Sequence, residues 1–180
     1  MRLEAVGGAG GAELKALVGR ALSALSRDLY SGAGAVLAEL MQNADDSRFP
    51  AGALPTLRIR LEQGNKSLGL LVEVNECGFS ESDVRAICDL GASAKVREGA
   101  AAATGRKGLG FKSVFAICET AYLRSNGFSF RFDVTDSHGL YGALVPIWVG
   151  DDEWTTSLPS GGALLRNEPG TTFWLPLSRA

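Results

Sequence analysis

Histidine is almost absent from this sequence, with His138 alone among 180 residues. One histidine cannot build a multi-histidine metal site, and its setting in DSHGLY is typical of a surface turn. Cysteine is also scarce: the chain has three, Cys77, Cys88 and Cys118, and no C-x-x-C pair. This count argues against a disulfide framework and a zinc site. We therefore expect an intracellular, reducing compartment, the cytoplasm or the nucleus.

The sequence also lacks long apolar runs and a strong net charge. No run approaches the about 20 apolar residues that a membrane-spanning helix needs. The net charge of −2 provides no general attraction to nucleic acid or to a membrane surface. No aromatic stacking platform accompanies the basic residues, which makes nucleic acid an unlikely partner. We expect a globular chain with no membrane partner.

The length suits one domain with its own core. Residues 1–11 (MRLEAVGGAGG) are rich in glycine and alanine and predict a flexible N-terminal end, followed by a single domain over residues 12–180. Apolar residues recur at helical spacing over residues 12–30 and again in GAGAVLAELMQNADDSRFP. TLRIRLEQGNKSLGLLVEVNE predicts a β-hairpin. SESDVRAICDLG predicts a short helix with Ser80 as N-cap and Gly91 as C-cap.

The second half of the chain is dominated by strand patterns. Residues 92–107 show no periodicity, which is typical of a lid or an irregular loop. TAYLRS, FSFRFDV, GALVPIWV and TTFWLPL predict strands, whereas residues 150–170 have the composition of a loop. Because the helices come first and the strands mostly later, we predict an α+β fold. Its helices would pack on one face of a mixed, mainly antiparallel sheet, as a two-layer sandwich.

One predicted helix carries polar residues along a narrow stripe. At about 100° per residue, Glu39, Asn43 and Asp46 fall on one side and the apolar residues on another. An amphipathic helix with a solvated face explains this pattern. A nucleotide site explains it too, because a carboxylate can activate a water and an amide oxygen is a suitable ligand for Mg²⁺. The stripe alone does not choose between the two.

The segment GRKGLGFKSVF combines glycines with basic residues. It lacks both glycines of the phosphate-binding loop G-x-x-x-x-G-K-[ST], and its order G-x-x-G-x-G is not the dinucleotide fingerprint. Its glycines would let backbone N–H groups approach an anion at the start of a helix near Phe111. Solvated loop lysines are the alternative. The basic residues nearby, against the single acid Glu98, are Lys95, Arg97, Arg106, Lys107 and Lys112.

Four segments in order resemble the GHKL superfamily of ATPases, which includes gyrase, the ninety-kilodalton heat-shock chaperone, histidine kinases and MutL. ELMQNADD resembles its N-box, and GTTFWLPL resembles its closing strand. NECGFSESDVRAICDLGASAK followed by GRKGLGFKSVF is most similar to the branch that contains the sacsin and plant NO VEIN proteins. The resemblance covers residues 22–177.

This resemblance implies a Bergerat-type fold that holds ATP and Mg²⁺ between helices and sheet under a mobile lid at residues 92–107. Glu39 would match the water-activating base, Asn43 the Mg²⁺ ligand, and Asp46 a position near the base and sugar. Thr171 would help to hold adenine. Further nucleotide contacts would come from the turn after residue 75, the start of the lid and the phosphate-cradling turn: Asn75, Gly78, Ser93, Lys95, Gly105, Lys107, Gly108, Gly110, Phe111 and Lys112.

One departure concerns the adenine acceptor. The superfamily usually reads D-x-G-x-G, but the segment here is VNECGF, with Val74 at the aspartate position and Glu76 at the first glycine. Valine cannot accept a hydrogen bond. Asn75 is the nearest replacement, although strand alternation can turn its side chain to the opposite face.

The expected function is Mg²⁺–ATP binding with slow hydrolysis, driving conformational change in a larger chaperone-like or regulatory protein. Its partners would be protein clients or further domains of the same chain. The alternative is a degenerate relative that serves as an interaction module without catalysis. Phosphotransfer to a protein histidine is less favoured, because no acceptor helix is present and His138 is poorly situated.

Overall fold

The fold is taken from a computed structural model, which describes residues 33–88, 110–135, 139–157 and 169–178. The predictions for the N-terminal end (1–11), the first helix (12–30) and the lid (92–107) lie outside these ranges. No helix among the described residues is both long and apolar enough to cross a membrane.

The described elements are three α-helices, two 3₁₀ helices and six strands. The helices are α1 (Ala33–Asp45), α2 (Glu81–Ile87) and α3 (Asp151–Ser157), with 3₁₀ helices at Phe111–Ala116 and Gly139–Ala143. The strands are β1 (Leu57–Gln63), β2 (Leu68–Val74), β3 (Thr120–Ser125), β4 (Phe128–Asp133), β5 (Ile147–Trp148) and β6 (Thr171–Pro176).

The strands form one six-stranded sheet in the order β1-β2-β6-β3-β4-β5. Every pairing within it is antiparallel. The closing strand β6 lies in the middle, between the two hairpins β1–β2 and β3–β4, and so joins the sheet across its centre. An antiparallel sheet with a few helices confirms the predicted α+β sandwich.

The main core lies between one face of the sheet and the helices α1, α2 and Phe111–Ala116. Strand alternation places Val72, Phe173 and Leu123 on this inner face, and all three are buried. Helix α1 contributes Val36 and Leu40. Glu39, Asn43 and Asp46, the residues of the polar stripe, are half-buried beside this packing.

The opposite, outer face of the sheet has a second apolar cluster, which was not predicted. Leu71 and Trp174 project to this side, and Trp154 of α3 covers them. The segment holding α3 was predicted as loop. Three acids at its start, Asp151, Asp152 and Glu153, favour a helix N-terminus, and burial of Trp154 ties the short helix to the sheet.

The helix predicted to begin near Phe111 is present as the six-residue 3₁₀ helix Phe111–Ala116. Two other local predictions were corrected by the structure. In GALVPIWV only Ile147–Trp148 is a strand, because Pro146 has no N–H to donate to a ladder. Helix α2 ends at Ile87 with Cys88 as its C-cap, before Gly91. Its N-terminus was correct: Ser80 and Asp83 form a capping box.

Candidate functional site

A cavity lies between α1, α2 and the inner face of the sheet, at the end of β2. Its space of about 120 Å³ is many times the about 10–15 Å³ that one water needs by the same measure. Its walls are largely apolar, with Leu40, Val72 and Phe173 among them, and the exposed Arg48 and Cys77 lie along it. Such a mixture of apolar walls and a few polar groups is typical of a small-molecule site.

One polar group of the cavity lining is a buried carboxylate held by a chain of hydroxyls. Glu76 is only 7% exposed, and the Thr171 hydroxyl donates to its Oε1. A hydroxyl has one proton, so Thr171 accepts from Ser125 Oγ at 2.5 Å. Ser125 Oγ in turn accepts from the Phe79 N–H at 2.7 Å. The chain fixes one oxygen of Glu76, so that the carboxylate is presented to the cavity in a defined orientation.

The structure brings Glu39 of α1 against Gly110, the last glycine of the basic segment. A Cβ on Gly110 would lie 1.4 Å from Glu39 Oε1, so no other residue type fits there without displacing the carboxylate. Partial burial raises the pKa of Glu39, and the negative charge of Asp46 raises it further. A carboxylate with a raised pKa is a stronger base than an exposed one and suits proton abstraction.

The other two residues of the stripe differ in their surroundings. Asn43 lines the cavity one turn after Glu39, and its backbone carbonyl accepts from Ser47 Oγ at 2.7 Å. Asp46 does not line the cavity, and its Oδ2 is buried without a hydrogen-bond partner among the described residues. Those residues contain no group of three or more histidine, cysteine or acidic side chains placed to hold a metal. A metal at Asn43 would therefore need most of its ligands from a bound molecule and water.

Lys112 does not line the cavity, although it lies next to Phe111, which does. Its side chain is buried, donates to the carbonyl of Ala143, and places Nζ 3.9 Å from the centre of the Phe132 ring. Burial lowers the pKa of the ammonium to about 7, against the smaller opposing effect of Cys88. Lys112 therefore fastens the 3₁₀ helix Phe111–Ala116 to β4 and to the second 3₁₀ helix, Gly139–Ala143.

This buried lysine predicts a specific dependence of stability on pH. Above pH 7 the folded chain loses the Lys112 proton, whereas the unfolded chain keeps it up to the ordinary pKa of 10.5. The unfolded state binds more protons in this window, so the free energy of unfolding should rise with pH. Lys112→Met should reduce the slope by about 1.4 kcal/mol per pH unit in urea titrations above pH 7. The exposed Lys66→Met is the control, and parallel curves for wild type and Lys112→Met would refute the burial argument.

The predicted adenine acceptor Asn75 also does not line the cavity. Its side-chain oxygen accepts from the Thr56 N–H at 2.7 Å, and its amide nitrogen donates to the Leu54 carbonyl at 2.9 Å. These bonds hold the chain that enters β1. Val74 lines the cavity and adds to its apolar wall, because its side chain has no hydrogen-bonding atom.

Of the predicted site residues within the described ranges, several meet at one place. Asn43, Gly78, Phe111 and Thr171 line the cavity, and the Glu39–Gly110 contact lies between α1 and the start of the 3₁₀ helix. Ser93, Lys95, Gly105, Lys107 and Gly108 lie outside the described residues. The sequence reasoning missed Glu76 as a site residue. The sequence offered one indication of it: Glu76 stands in a strand-to-helix turn, at a position where the superfamily usually has a glycine.

No protein-family model matches this chain. It is 42% identical to Protein NO VEIN of Arabidopsis thaliana over 165 residues, which cover 89% of this chain. The chain spans about 6% of the length of that protein. Over most of its length this chain is therefore NO VEIN-like, with its similarity confined to a small part of the larger protein.

Proposed function

We propose that this chain binds Mg²⁺–ATP in the cavity between α1, α2 and the sheet, and hydrolyses it slowly. The observation that carries the proposal is the contact of Glu39 with Gly110 beside a cavity that contains the Glu76 carboxylate. A carboxylate that could act as a general base, a close backbone approach and a carboxylate that could accept a hydrogen bond from adenine would thus lie within one region. These are the groups that nucleotide hydrolysis requires.

The base of the nucleotide would enter the apolar part of the cavity. Phe111 and Phe173 offer aromatic surface there, with ring centres 5.4 Å apart. The Glu76 carboxylate would accept a hydrogen bond from the exocyclic amine of adenine. It would thus replace the aspartate that the superfamily usually has at the position of Val74. Because Thr171 holds one oxygen of Glu76, little rotational freedom would be lost on binding.

The triphosphate would extend from the cavity toward Gly110, along the polar side of α1. Asn43 would supply one neutral oxygen ligand to Mg²⁺, which typically keeps several waters and binds the phosphate oxygens of its substrate. When bound, the metal neutralises negative charge on the phosphates. Glu39 would orient a water and accept its proton, a task helped by the raised pKa of its carboxyl group.

A Gly110→Ala variant tests this geometry. The added methyl group would occupy the position of Glu39 Oε1, and the flexible glutamate would rotate away while the fold persists. We expect turnover to fall by about a hundredfold, because a displacement of about 1 Å has this effect in well-oriented sites. Gly150→Ala is the matched control, since nothing lies within 4 Å of its added carbon. Unchanged turnover in Gly110→Ala would refute the role of this contact.

The alternative is a nucleotide-binding fold without catalysis, which acts as an interaction module. The inward side chain of Lys112 favours it, because the ammonium is bonded to Ala143 and is not free to contact a phosphate. Binding without turnover in the wild-type chain would support this alternative. Absence of any rise in melting temperature with millimolar Mg²⁺–ATP would exclude a Kd in the millimolar range or below and would also favour the alternative.

In either case the chain would act within a larger protein. The related segment of Protein NO VEIN is a small part of that chain. In that protein, a domain of this kind is therefore joined to a much longer stretch of chain on which it could act. Closure around ATP and opening after hydrolysis would then be transmitted to protein clients or to neighbouring domains.

A further inference from the structure

Strand β1 forms one edge of the sheet. Within the described ranges, β2 is its only strand partner. The strand runs for seven residues, LRIRLEQ, and contains no proline, glycine or lysine. Natural edge strands are usually blunted by proline or by charged side chains, above all lysine, because their free N–H and C=O groups invite pairing with another strand.

The hydrogen-bond pattern of the hairpin shows which backbone groups face outward. The Gly64 N–H donates to the Ser67 carbonyl at 2.9 Å, which makes these two residues a hydrogen-bonded pair. Bonded and non-bonded pairs alternate in an antiparallel ladder, so Glu62 and Arg60 also bond to β2. The N–H and C=O groups of Ile59, Leu61 and Gln63 therefore point away from β2, toward the edge that no other described strand covers.

The side chains of β1 include an exposed apolar residue between opposite charges. Leu61 is 60% exposed, although its partner in the sheet, Leu70, packs against the core. Arg60 precedes it and Glu62 follows it. Arg60 already bonds to Glu73 at 2.8 Å and lies 3.5 Å from Glu62, which holds these charges along the sheet surface.

We propose that β1 pairs antiparallel with β1 of a second copy of this chain, about a twofold axis at Leu61. Leu61 then lies opposite itself, and Arg60 lies opposite Glu62 of the second copy on both sides of the axis. The outward N–H and C=O groups of Leu61 bond to those of Leu61 in the second copy. Those of Ile59 bond to those of Gln63 in the second copy. Opposite charges facing each other across strands are stabilising and like charges are not.

Neighbouring registers are less favourable. An axis at Ile59 places Arg58 opposite Arg60 twice, and an axis at Arg60 places that arginine opposite itself. An axis at Glu62 places the two glutamates opposite each other and pairs fewer residues. Only the axis at Leu61 joins opposite charges without any like-charged pair, while it covers the exposed leucine.

Sedimentation equilibrium of the full 180-residue chain over a concentration series tests the proposal, with a reversible dimer expected. Leu61→Pro removes an N–H that faces the free edge and makes no bond to β2, so the fold should persist while the dimer is lost. Leu54→Ser is the control, because Leu54 is 81% exposed but lies outside the strand. A wild-type chain that stays monomeric up to millimolar concentration would overturn the proposal.

Charge reversal distinguishes this register from others. Glu62→Arg places an arginine opposite Arg60 and should raise the dimer Kd by about tenfold or more. Arg58→Ala should leave the Kd unchanged, because Arg58 lies opposite Gly64 of the second copy. If Leu61→Pro is unfolded by circular dichroism, the Glu62→Arg result decides. A dimer that is insensitive to Glu62→Arg would refute the β1 interface.

Discussion

Replacing Glu39 with glutamine should lower the rate of ATP hydrolysis by about 10²–10⁴-fold, the usual contribution of a general base. The amide keeps the shape of the side chain beside Gly110, so Mg²⁺–ATP binding should be retained within about twofold, since binding does not depend on proton abstraction. Steady-state phosphate release and calorimetric titration on the same preparations measure the two effects separately.

The pH profile adds a second readout for Glu39. Burial and the charge of Asp46 raise its pKa, so turnover should decline with falling pH at a value above the ordinary range of a glutamate. The decline should be absent from the residual activity of Glu39→Gln. The exposed Glu119→Gln is the matched control and should behave as wild type. Equal turnover in Glu39→Gln and wild type would remove the proposed base.

Replacing Glu76 with glutamine should weaken Mg²⁺–ATP binding by about tenfold to a hundredfold, the value of a hydrogen bond to a charged group. The amide oxygen of glutamine can still accept from Thr171, so its NH₂ group would be presented to the cavity. There it would meet the exocyclic amine of adenine, donor against donor. Isothermal calorimetry measures the loss directly.

The melting temperature without nucleotide distinguishes this effect from misfolding. Because the amide that replaces the carboxylate keeps its bond to Thr171, the Glu76→Gln variant should melt within a few degrees of wild type. Glu73→Gln is the control, as Glu73 lies on the outer face of the sheet and does not line the cavity. Undiminished affinity in Glu76→Gln would show that this carboxylate does not contact the base.

Much of the fold followed from local patterns. Alternating residues predicted β1, β2, β3, β4 and β6, and Ser80 with Asp83 predicted the start of α2, because these signals need only a few adjacent residues. The polar stripe on α1 was visible from helical spacing alone. Helix α3 was missed because Trp154 is buried by contact with Trp174 and Leu71, which are distant in sequence.

The position of a candidate site residue could be predicted where only one residue type fits. It could not be predicted where contacts with residues distant in sequence determine the direction of the side chain. At position 110 only glycine leaves room for the Glu39 carboxylate, because a Cβ there would lie 1.4 Å from Glu39 Oε1. Lys112 was expected among the phosphate contacts, yet its ammonium lies against the Phe132 ring and donates to the carbonyl of Ala143, which is 31 positions away in the sequence. The pairing of Glu76 with Thr171 joins residues 95 positions apart, and no local pattern records it.

Calorimetric titration of the full chain with ATP, in the presence and absence of Mg²⁺, tests most directly whether a nucleotide occupies the space between α1 and the sheet. The account predicts saturable binding of one ATP per chain, strengthened by Mg²⁺ and accompanied by a rise in melting temperature. A folded chain that gives no saturable heat and no thermal shift at millimolar Mg²⁺–ATP would contradict it.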